Sequence, residues 1–290
     1  MAGQRHVPDN MGGSEMARAI AVHHGSFGRA TLYELDNPLI THAHREGHLI
    51  FYLGGGRGKF MVRGECYDLD EHNAVAVSPW EPHSFSPVNE NECSYLLTLY
   101  IKPMWFLENN RSAEFALKFG TPHIHMVPEV EKWVGRLSSL LLDDQPSTRF
   151  DGFLFETCQQ CFDQSWEGAE GRPLLHSVYR KFSDFRVRRS LRLMQECYSH
   201  EVSIDTLAKE VGLSRPHFFK LFKMQMGVTP NLYLNTLRAE HAIDDLMSTS
   251  KTITEIGFDL GFASQAGFTR FFTSNVGIPP TDYRRVAHFV

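Results

Sequence analysis

The sequence predicts two domains: an all-β barrel or sandwich with an accompanying helical pair, followed by an all-α domain in which a linker helix joins two helix-turn-helix motifs. Three observations support this prediction. The length of 290 residues suffices for two domains of ordinary size. Hydrophobic residues alternate with a period of two over residues 30–101 and return to helical spacing afterwards. One pattern occurs twice near the C-terminus, which indicates a duplicated unit.

The β-rich region contains five short runs of β-branched and aromatic residues, separated by Gly, Pro, Asn and Asp. The runs cover residues 31–35, 49–53, 59–63, 74–78 and 95–101. Short strands at near-regular spacing are typical of an antiparallel sandwich or barrel. Residues 54–56 and 63–65 are predicted as hairpin turns, and residues 1–14 as a disordered start.

Two amphipathic helices are predicted between the β-rich region and the repeat. In the first, Val130, Val134, Leu137 and Leu141 form one apolar stripe, and the second covers residues 150–162. Such a pair either caps the barrel or pairs with its copy in another chain. Residues 167–173, which include two glycines and a proline, are predicted as a linker.

The helix-turn-helix pattern lies at residues 203–227 and again at 252–277. In each copy an apolar helix meets a turn with a glycine, Gly212 or Gly261, and a second helix turns phenylalanines inward. The offset between the copies is 49 residues at these glycines and 50 at Phe222 and Phe272. Such a unit lays its second helix in a DNA major groove.

A helix is predicted between the two motifs, from Pro230 to about Met247. Its length of roughly 27 Å could hold two recognition helices apart by about the 34 Å that separates successive major grooves on one face of DNA. Residues 177–290 carry 15 Lys and Arg against 11 Asp and Glu, a net charge of +4, whereas the rest carries 14 against 23, or −9. A DNA-binding module needs only its own face to be positive.

Cysteine usage and hydropathy favour a cytoplasmic protein without a membrane span. The five cysteines form an odd, sparse set, which fits a reducing compartment. Cys158 and Cys161 lie in an apolar helical stretch without a second ligand pair, so buried thiols are predicted there rather than zinc ligands. The chain contains no apolar run of membrane-spanning length and no signal-peptide pattern at its N-terminus.

The C-terminal region resembles the DNA-binding domain of AraC/XylS-type transcriptional regulators. The motifs that carry the resemblance are Leu-Ala-Lys-Glu-Val-Gly-Leu-Ser at 207–214, Leu-Phe-Lys at 221–223, Ile-Gly-Phe-Asp-Leu-Gly-Phe at 256–262, Phe-Thr-Arg-Phe-Phe at 268–272 and Gly-Ile-Pro-Pro-Thr-Asp-Tyr-Arg at 277–284. Gly257 departs from the pattern because the family usually has alanine there, and we expect it to loosen its helix by about 1 kcal/mol.

The resemblance implies a regulator, usually an activator, whose partners are double-stranded promoter DNA, a small-molecule effector and RNA polymerase. It also favours a homodimer formed through the helical pair. The corresponding domains are a disordered start at 1–14, a sensing domain at 15–126, a helical dimerisation segment at 127–166, a linker at 167–176 and a DNA-binding domain at 177–290.

The residues predicted to meet DNA are polar or protruding ones near each recognition-helix N-terminus. They are Arg215, Pro216, Phe219, Lys220 and Lys223 in the first motif, and Gln265, Ala266, Thr269 and Arg270 in the second. Glutamine suits adenine and arginine suits guanine by bidentate geometry, whereas Lys223 is placed for phosphate. The alternative for each residue is an ordinary solvated helix face.

The N-terminal region resembles a cupin, a jelly-roll barrel that precedes the DNA-binding domain in many AraC-type regulators. Metal-binding cupins carry H-x-H-x3-E and a later histidine. Here His42 and His44 match, His48 replaces the carboxylate and His83 matches the last ligand. Alternate strand residues share a face, and imidazoles suit Zn, Fe or Ni.

AraC-type sensor domains generally keep this fold and lose the metal. The resemblance therefore implies a polar effector pocket without a cofactor, and a transition metal on the four histidines is the alternative. The predicted effector-binding residues are His42, His44, His48, Tyr52, Arg63, Trp80 and His83. The alternative for Tyr52 and Trp80 is plain barrel core, and the alternative for Arg63 is a solvated surface charge.

A cupin enzyme, such as a metal-dependent oxygenase or isomerase with a helical appendage, is the competing function. An enzyme has no need of a duplicated helix-turn-helix, and the sequence contains no Ser-His-Asp, P-loop or G-x-G-x-x-G arrangement. The sequence therefore favours a regulator over an enzyme.

Overall fold

The computed structural model describes residues 18–89, 92–109, 117–143, 148–167, 184–198 and 203–289. The predicted disordered start and nearly all of the predicted linker lie outside these residues. Eleven strands occur in the described part of the chain. They are β1 (Arg18–Gly25), β2 (Gly28–Leu35), β3 (Leu39–His42), β4 (Gly47–Gly55), β5 (Gly58–Val62), β6 (Glu65–Leu69), β7 (Asn73–Val77), β8 (His83–Pro87), β9 (Ser94–Ile101), β10 (His123–His125) and β11 (Ala287–Phe289).

The strands form two sheets that enclose a barrel core, as the jelly-roll prediction requires. The larger sheet has the order β10-β7-β4-β9-β2-β1-β11, and the smaller has the order β3-β8-β5-β6. Each of the five predicted runs coincides with a strand, but two runs extend one residue too far, because β5 ends at Val62 and β7 ends at Val77. Arg63 and Gly64 instead form the hairpin turn, with φ angles of 56° and 83°.

The helical pair covers the outer face of the larger sheet. The helices α1 (Pro103–Asn109), α2 (Pro128–Leu142) and α3 (Thr148–Ser165) follow the last barrel strand. The predicted stripe of α2 is buried together with Ala30, Leu32, Leu49 and Leu97 of the sheet. Capping of the barrel is therefore the observed role of this stripe, because the same face is not available to a second chain. Dimerisation itself stays a prediction.

Burial of Cys158 and Cys161 in α3 is confirmed, at 2% and 0% exposure. Desolvation raises the pKa of Cys161 to about 12 and that of Cys158 well above its ordinary value. Both sulfurs are therefore protonated, inert parts of the packed core between the helices and the sheet.

The C-terminal domain is all-helical apart from its last strand. Its helices are α4 (Phe185–Cys197), α5 (Ile204–Glu210), α6 (Arg215–Met226), α7 (Pro230–Ser248), α8 (Ile253–Asp259), α9 (Gln265–Val276) and α10 (Pro280–Val286). A capping box is present at the start of α8, where Thr252 and Glu255 exchange side-chain-to-backbone hydrogen bonds. In both turns the glycine is left-handed, with φ of 71° at Gly212 and 82° at Gly261.

The second helix-turn-helix motif packs against the barrel. Phe272, Val276 and Tyr283 share one hydrophobic core with Tyr33 and Leu35 of β2. The Tyr33 hydroxyl donates to the Val276 carbonyl oxygen over 3.2 Å. Strand β11 extends the larger sheet by pairing in parallel with β1. The sequence had predicted neither this strand nor the shared core.

Candidate functional site

Four histidines meet inside the barrel, on the loop and strands where the sequence placed them. His42 ends β3, His44 lies in the following loop, His48 is in β4, and His83 begins β8 directly opposite His42. Their exposed fractions are 5%, 6%, 2% and 3%. Three of them, His42, His44 and His83, each have a ring nitrogen within 4.8 Å of the other two.

The hydrogen bonds of this cluster determine which ring nitrogens carry a lone pair. His42 Nδ1 lies 2.7 Å from the Ile40 carbonyl oxygen, and His83 Nδ1 lies 2.9 Å from that of Glu81. A carbonyl oxygen only accepts, so both Nδ1 atoms donate and both Nε2 atoms carry a lone pair. His48 Nε2 lies 2.9 Å from His83 Nε2 and must therefore donate to it.

Desolvation keeps all four imidazoles neutral. It lowers the pKa of His42 to about 4 and the pKa values of His44, His48 and His83 well below their ordinary value of 6.5. Neighbouring histidines and Arg29 lower several of these pKa values further. A neutral imidazole is the form that ligates a metal or accepts a hydrogen bond from a polar effector.

A row of polar side chains continues from the histidines across the larger sheet. His48 pairs directly with Tyr100, Tyr100 with Arg29, and Arg29 with His24, so all four share one face. The guanidinium carbon of Arg29 lies 3.8 Å from the Tyr100 ring centre. His24 Nε2 lies 2.8 Å from the hydroxyl of Tyr283 in α10, so the row ends at the DNA-binding domain.

Arg29 is a functional candidate that the sequence reasoning missed. It is 4% exposed, and its Nε and Nη2 atoms have no hydrogen-bond partner among the described residues. It lines a cleft of about 650 Å³ between the barrel and α7, together with Lys102, Arg45 and Glu240. The available signal was the inward alternation of β2, but the predicted run began at residue 31, two positions too late.

Three predicted effector-binding residues lie away from the histidines. Tyr52 is four residues beyond His48 along β4, about 13 Å at 3.3 Å per residue, and lines a separate surface cavity. Arg63, predicted within a strand, occupies the β5–β6 turn and is held at the surface by the Glu81 carboxylate and the carbonyl oxygens of Phe119 and Gly120. The direction of β4 carries Tyr52 away from the histidines, and the turn carries Arg63 away from them and leaves it as the surface charge of the alternative prediction.

Trp80 likewise belongs to the domain boundary rather than to a pocket wall. Its ring stacks on Tyr233 of α7, with ring centres 4.7 Å apart and an interplanar angle of 17°. Its backbone N–H donates to the carbonyl oxygen of His44 over 2.7 Å. Trp80 thus holds the histidine loop against the DNA-binding domain.

The loop of residues 43–46 connects the histidine cluster directly to the linker helix. The Thr236 hydroxyl of α7 donates to the Ala43 carbonyl oxygen over 2.9 Å. One turn further along α7, Glu240 forms an ion pair with Arg45 at 2.8 Å. Ala43 lies between His42 and His44, so the backbone segment that carries the two imidazoles is hydrogen-bonded to α7.

The first recognition helix, α6, presents the predicted residues to solvent. Arg215, Pro216, Lys220 and Lys223 are exposed and Phe219 is half-buried, while Phe218, Leu221 and Phe222 form the core. Arg215 is paired with Asp205 of α5 at 3.0 Å.

The second recognition helix, α9, shows the same arrangement. Gln265, Ala266 and Arg270 are exposed and Thr269 is half-buried. The Thr254 hydroxyl of α8 donates to Gln265 Oε1 over 2.6 Å, which orients this amide at the N-terminus of the helix. The opposite, C-terminal end of α9 is the part that packs on the barrel, where Gly277 lies beside Leu39 of β3.

An arginine-rich helix was also missed by the sequence reasoning. Helix α4 carries four arginines in 13 residues, and three of them, Arg188, Arg189 and Arg192, are exposed. The density of arginines within residues 185–197 was the available signal. The helix adds positive charge to the first helix-turn-helix subdomain, with which it shares a core through Val187 and Met194.

Two family models match the chain. Residues 32–154 match an AraC-like ligand binding domain, and residues 207–286 match a helix-turn-helix domain. Among the described residues, no helix has the length and apolar composition needed to cross a membrane.

The curated relatives are transcriptional regulators. The lactose operon transcription activator of Staphylococcus xylosus is 29% identical over 117 residues, which are 40% of this chain and 41% of that protein. The regulator ExsA of Pseudomonas aeruginosa is 30% identical over 113 residues, 39% of this chain and 41% of that protein. The match thus spans about two fifths of the length of these relatives.

A solved structure shares the overall fold. A variant of ToxT from Vibrio cholerae, without ligand, matches with a TM-score of 0.60 and 14% identity, covering 91% of this chain and 98% of that chain. With both family models and these regulators as relatives, the chain belongs to the AraC family of transcriptional regulators and consists of an AraC-like ligand-binding domain and an AraC-type helix-turn-helix domain.

Proposed function

We propose that this chain is a transcriptional activator that binds double-stranded promoter DNA through α6 and α9 and is controlled by a ligand at the polar end of the barrel. One observation carries the DNA-binding part. Each recognition helix buries two phenylalanines, Phe218 and Phe222 in α6 and Phe268 and Phe272 in α9, and exposes polar residues at its N-terminal end, at corresponding positions of a duplicated motif. A helix with this distribution can lie in the major groove with its N-terminal residues against base edges.

Control by a ligand is supported by the polar row inside the barrel and by its connection to α7. Burying Arg29 with two nitrogen donors, Nε and Nη2, that lack a hydrogen-bond partner among the described residues is costly, and a polar or anionic ligand group would offset that cost. The loop of residues 43–46 then offers a route from the ligand to the helix that joins the two motifs.

The direction of regulation follows from the relatives. The Staphylococcus xylosus relative is named as an activator, and we assign activation to this chain on that basis. Contact with RNA polymerase, homodimer formation and a cytoplasmic location accompany this proposal as predictions from the family resemblance. The relatives are regulators rather than enzymes, which favours a regulator over a cupin enzyme.

The test begins with capture of genomic fragments by the purified full-length chain. Each captured fragment is placed upstream of a reporter gene and expressed with the wild type or with Arg270→Ala. We expect reporter transcription to rise with the wild type and to stay at the basal level with Arg270→Ala. A fall in transcription with the wild type would contradict activation, and capture of no fragment would contradict DNA binding.

A further inference from the structure

We propose that His42, His44 and His83 bind one divalent transition-metal ion inside the barrel, and that this ion is the regulatory ligand. The regulatory role of the ion rests on the proposed function, whereas the metal site is argued from the geometry of the three histidines. The three side chains are buried, and each offers a ring nitrogen within 4.8 Å of the other two. A tetrahedral zinc site with bonds of 2.0–2.1 Å needs about 3.4 Å between ligand nitrogens, so a closing movement of roughly 1 Å completes it.

The ring nitrogens that face away from the cluster make the hydrogen bonds that are typical of metal-binding imidazoles. Ligating histidines commonly donate the second ring N–H to a backbone carbonyl, which fixes the ring and its tautomer. His42 does so to Ile40, and His83 does so to Glu81. Both rings therefore direct an Nε2 lone pair to the cluster without any change of tautomer, and a metal ion at His83 would replace the hydrogen bond that His83 Nε2 accepts from His48 Nε2.

Two further nitrogens in the cluster have no partner among the described residues. They are Nε2 of His44 and Nδ1 of His48. A buried polar atom without a hydrogen bond costs free energy, and a metal ion at His44 removes that cost for a third imidazole. The site thus has three protein ligands and a fourth position on the side of His48, whose ring centre lies 4.9 Å from that of His44.

The ligand set determines the class of metal. Imidazole nitrogens suit Zn²⁺, Co²⁺, Ni²⁺, Cu²⁺ and Fe²⁺, whereas Mg²⁺ and Ca²⁺ require oxygen ligands. The charge of Arg29, which lies beyond the Tyr100 ring from His48, opposes a cation, so an anion or hydroxide at the fourth position is favoured.

Metal binding at these residues would act on the DNA-binding domain through the backbone at Ala43. His42 and His44 flank Ala43, and the Ala43 carbonyl oxygen accepts from Thr236. Drawing the two imidazoles together moves Ala43 relative to α7. A ligand shifts such an equilibrium only by its differential affinity for the two arrangements, so metal affinity and DNA affinity must be reciprocally linked.

The binding test uses the full-length chain after removal of metal with a chelator. Titration with Co²⁺ is followed by visible absorption, and titration with Zn²⁺ by calorimetry. We expect one ion per chain, with the absorption of a four-coordinate Co²⁺ site. His42→Ala, His83→Ala and His44→Gln should each weaken binding by more than about 100-fold, since loss of an outer-shell partner alone costs 10–100-fold.

The matched control is the pair His123→Ala, His125→Ala. These histidines are also adjacent, with ring centres 4.4 Å apart, but lie on β10 at the sheet edge. This double variant should bind the ion as the wild type does. No tight binding by the wild type, or wild-type binding by a folded His44→Gln variant, would overturn the site.

The regulatory part is tested separately by the DNA affinity of the wild type and of Thr236→Val, with and without Zn²⁺. We expect Zn²⁺ to change the affinity of the wild type by at least about fivefold, the lower end of typical allosteric coupling, and that of the variant by less. Metal binding without a change in DNA affinity would contradict the coupling between the metal and DNA sites, but not the metal site itself. A chain that binds metal and no DNA would overturn the proposed function alone.

Discussion

The hydroxyl of Thr236 donates a hydrogen bond to the backbone carbonyl oxygen of Ala43 over 2.9 Å, across 193 positions of sequence. Thr236 is 3% exposed and lies in α7, the helix that joins the two DNA-binding motifs. Ala43 lies between two of the buried histidines. This hydrogen bond therefore joins the backbone between two of the buried histidines to the helix that connects the two DNA-binding motifs.

Replacing Thr236 with valine should lower the free energy of unfolding by about 1–3 kcal/mol, because the Ala43 carbonyl oxygen is left buried without its donor. Denaturant unfolding of the full-length chain measures this. Thr236→Ser keeps the hydroxyl and serves as the control, with a smaller loss from the missing methyl group. Equal stabilities of the valine and serine variants would show that the hydrogen bond contributes little.

Replacing Arg270 with alanine should weaken binding to the preferred DNA site by about 1–3 kcal/mol and relax base preference in one half of that site, since a base-edge contact is lost. Lys223→Ala should instead weaken binding to all sequences alike. Fluorescence anisotropy on the selected site and on random DNA separates the two effects. Lys59→Ala, an exposed change in β5, is the control. Equal losses on both DNAs for both variants would refute this division.

Replacing Gly257 with alanine should destabilise the chain, although helix propensity alone favours alanine. A Cβ atom at this position would lie 2.9 Å from Cβ and 3.2 Å from Cγ of Phe268, so α8 and α9 would have to separate. Overpacking of this kind costs about 1–3 kcal/mol. Gly135→Ala is the control, because a Cβ atom there meets no atom within 4 Å, and it should stabilise by up to about 1 kcal/mol. Stabilisation by both changes would show that α8 moves freely.

The metal-free chain should lose stability as the pH falls from 6.5 towards 4. Burial lowers the pKa of His42 to about 4, so over this range the unfolded chain binds a proton that the folded chain does not. Each such histidine contributes a slope of up to about 1.4 kcal/mol per pH unit. His42→Asn keeps a donor for the Ile40 carbonyl and should give a shallower slope in denaturant unfolding at pH 7, 6 and 5. Equal slopes would contradict the burial argument.

Local sequence patterns predicted much of the fold. The helix-turn-helix motifs could be predicted because helical spacing, turn glycines and a capping box are all local features of the sequence. The barrel strands could be predicted where hydrophobic and polar residues alternate strongly. The predicted run for β5 nevertheless extended one residue too far, into the turn at Arg63. Strand β11 was not predicted, because its three residues are stabilised only by pairing with the distant β1.

The candidate site was predicted in part. The four histidines were found from the resemblance to a cupin, whereas Arg29 and Tyr100 join them through strand register, which local patterns do not specify. Trp80 was predicted as an effector-binding residue. Its actual partner, Tyr233, lies in the other domain and had no signal in the local sequence.

We expect one chain to read two successive major grooves with α6 and α9. The direct measurement is a hydroxyl-radical and methylation-interference footprint of the full-length chain on a DNA site selected from a random pool, repeated with Arg270→Ala. We predict two protected segments about 10 base pairs apart on one face of the duplex, with the variant losing only one, and an affinity that falls steeply with salt. A single protected segment, or loss of both segments in the folded variant, would contradict the claim.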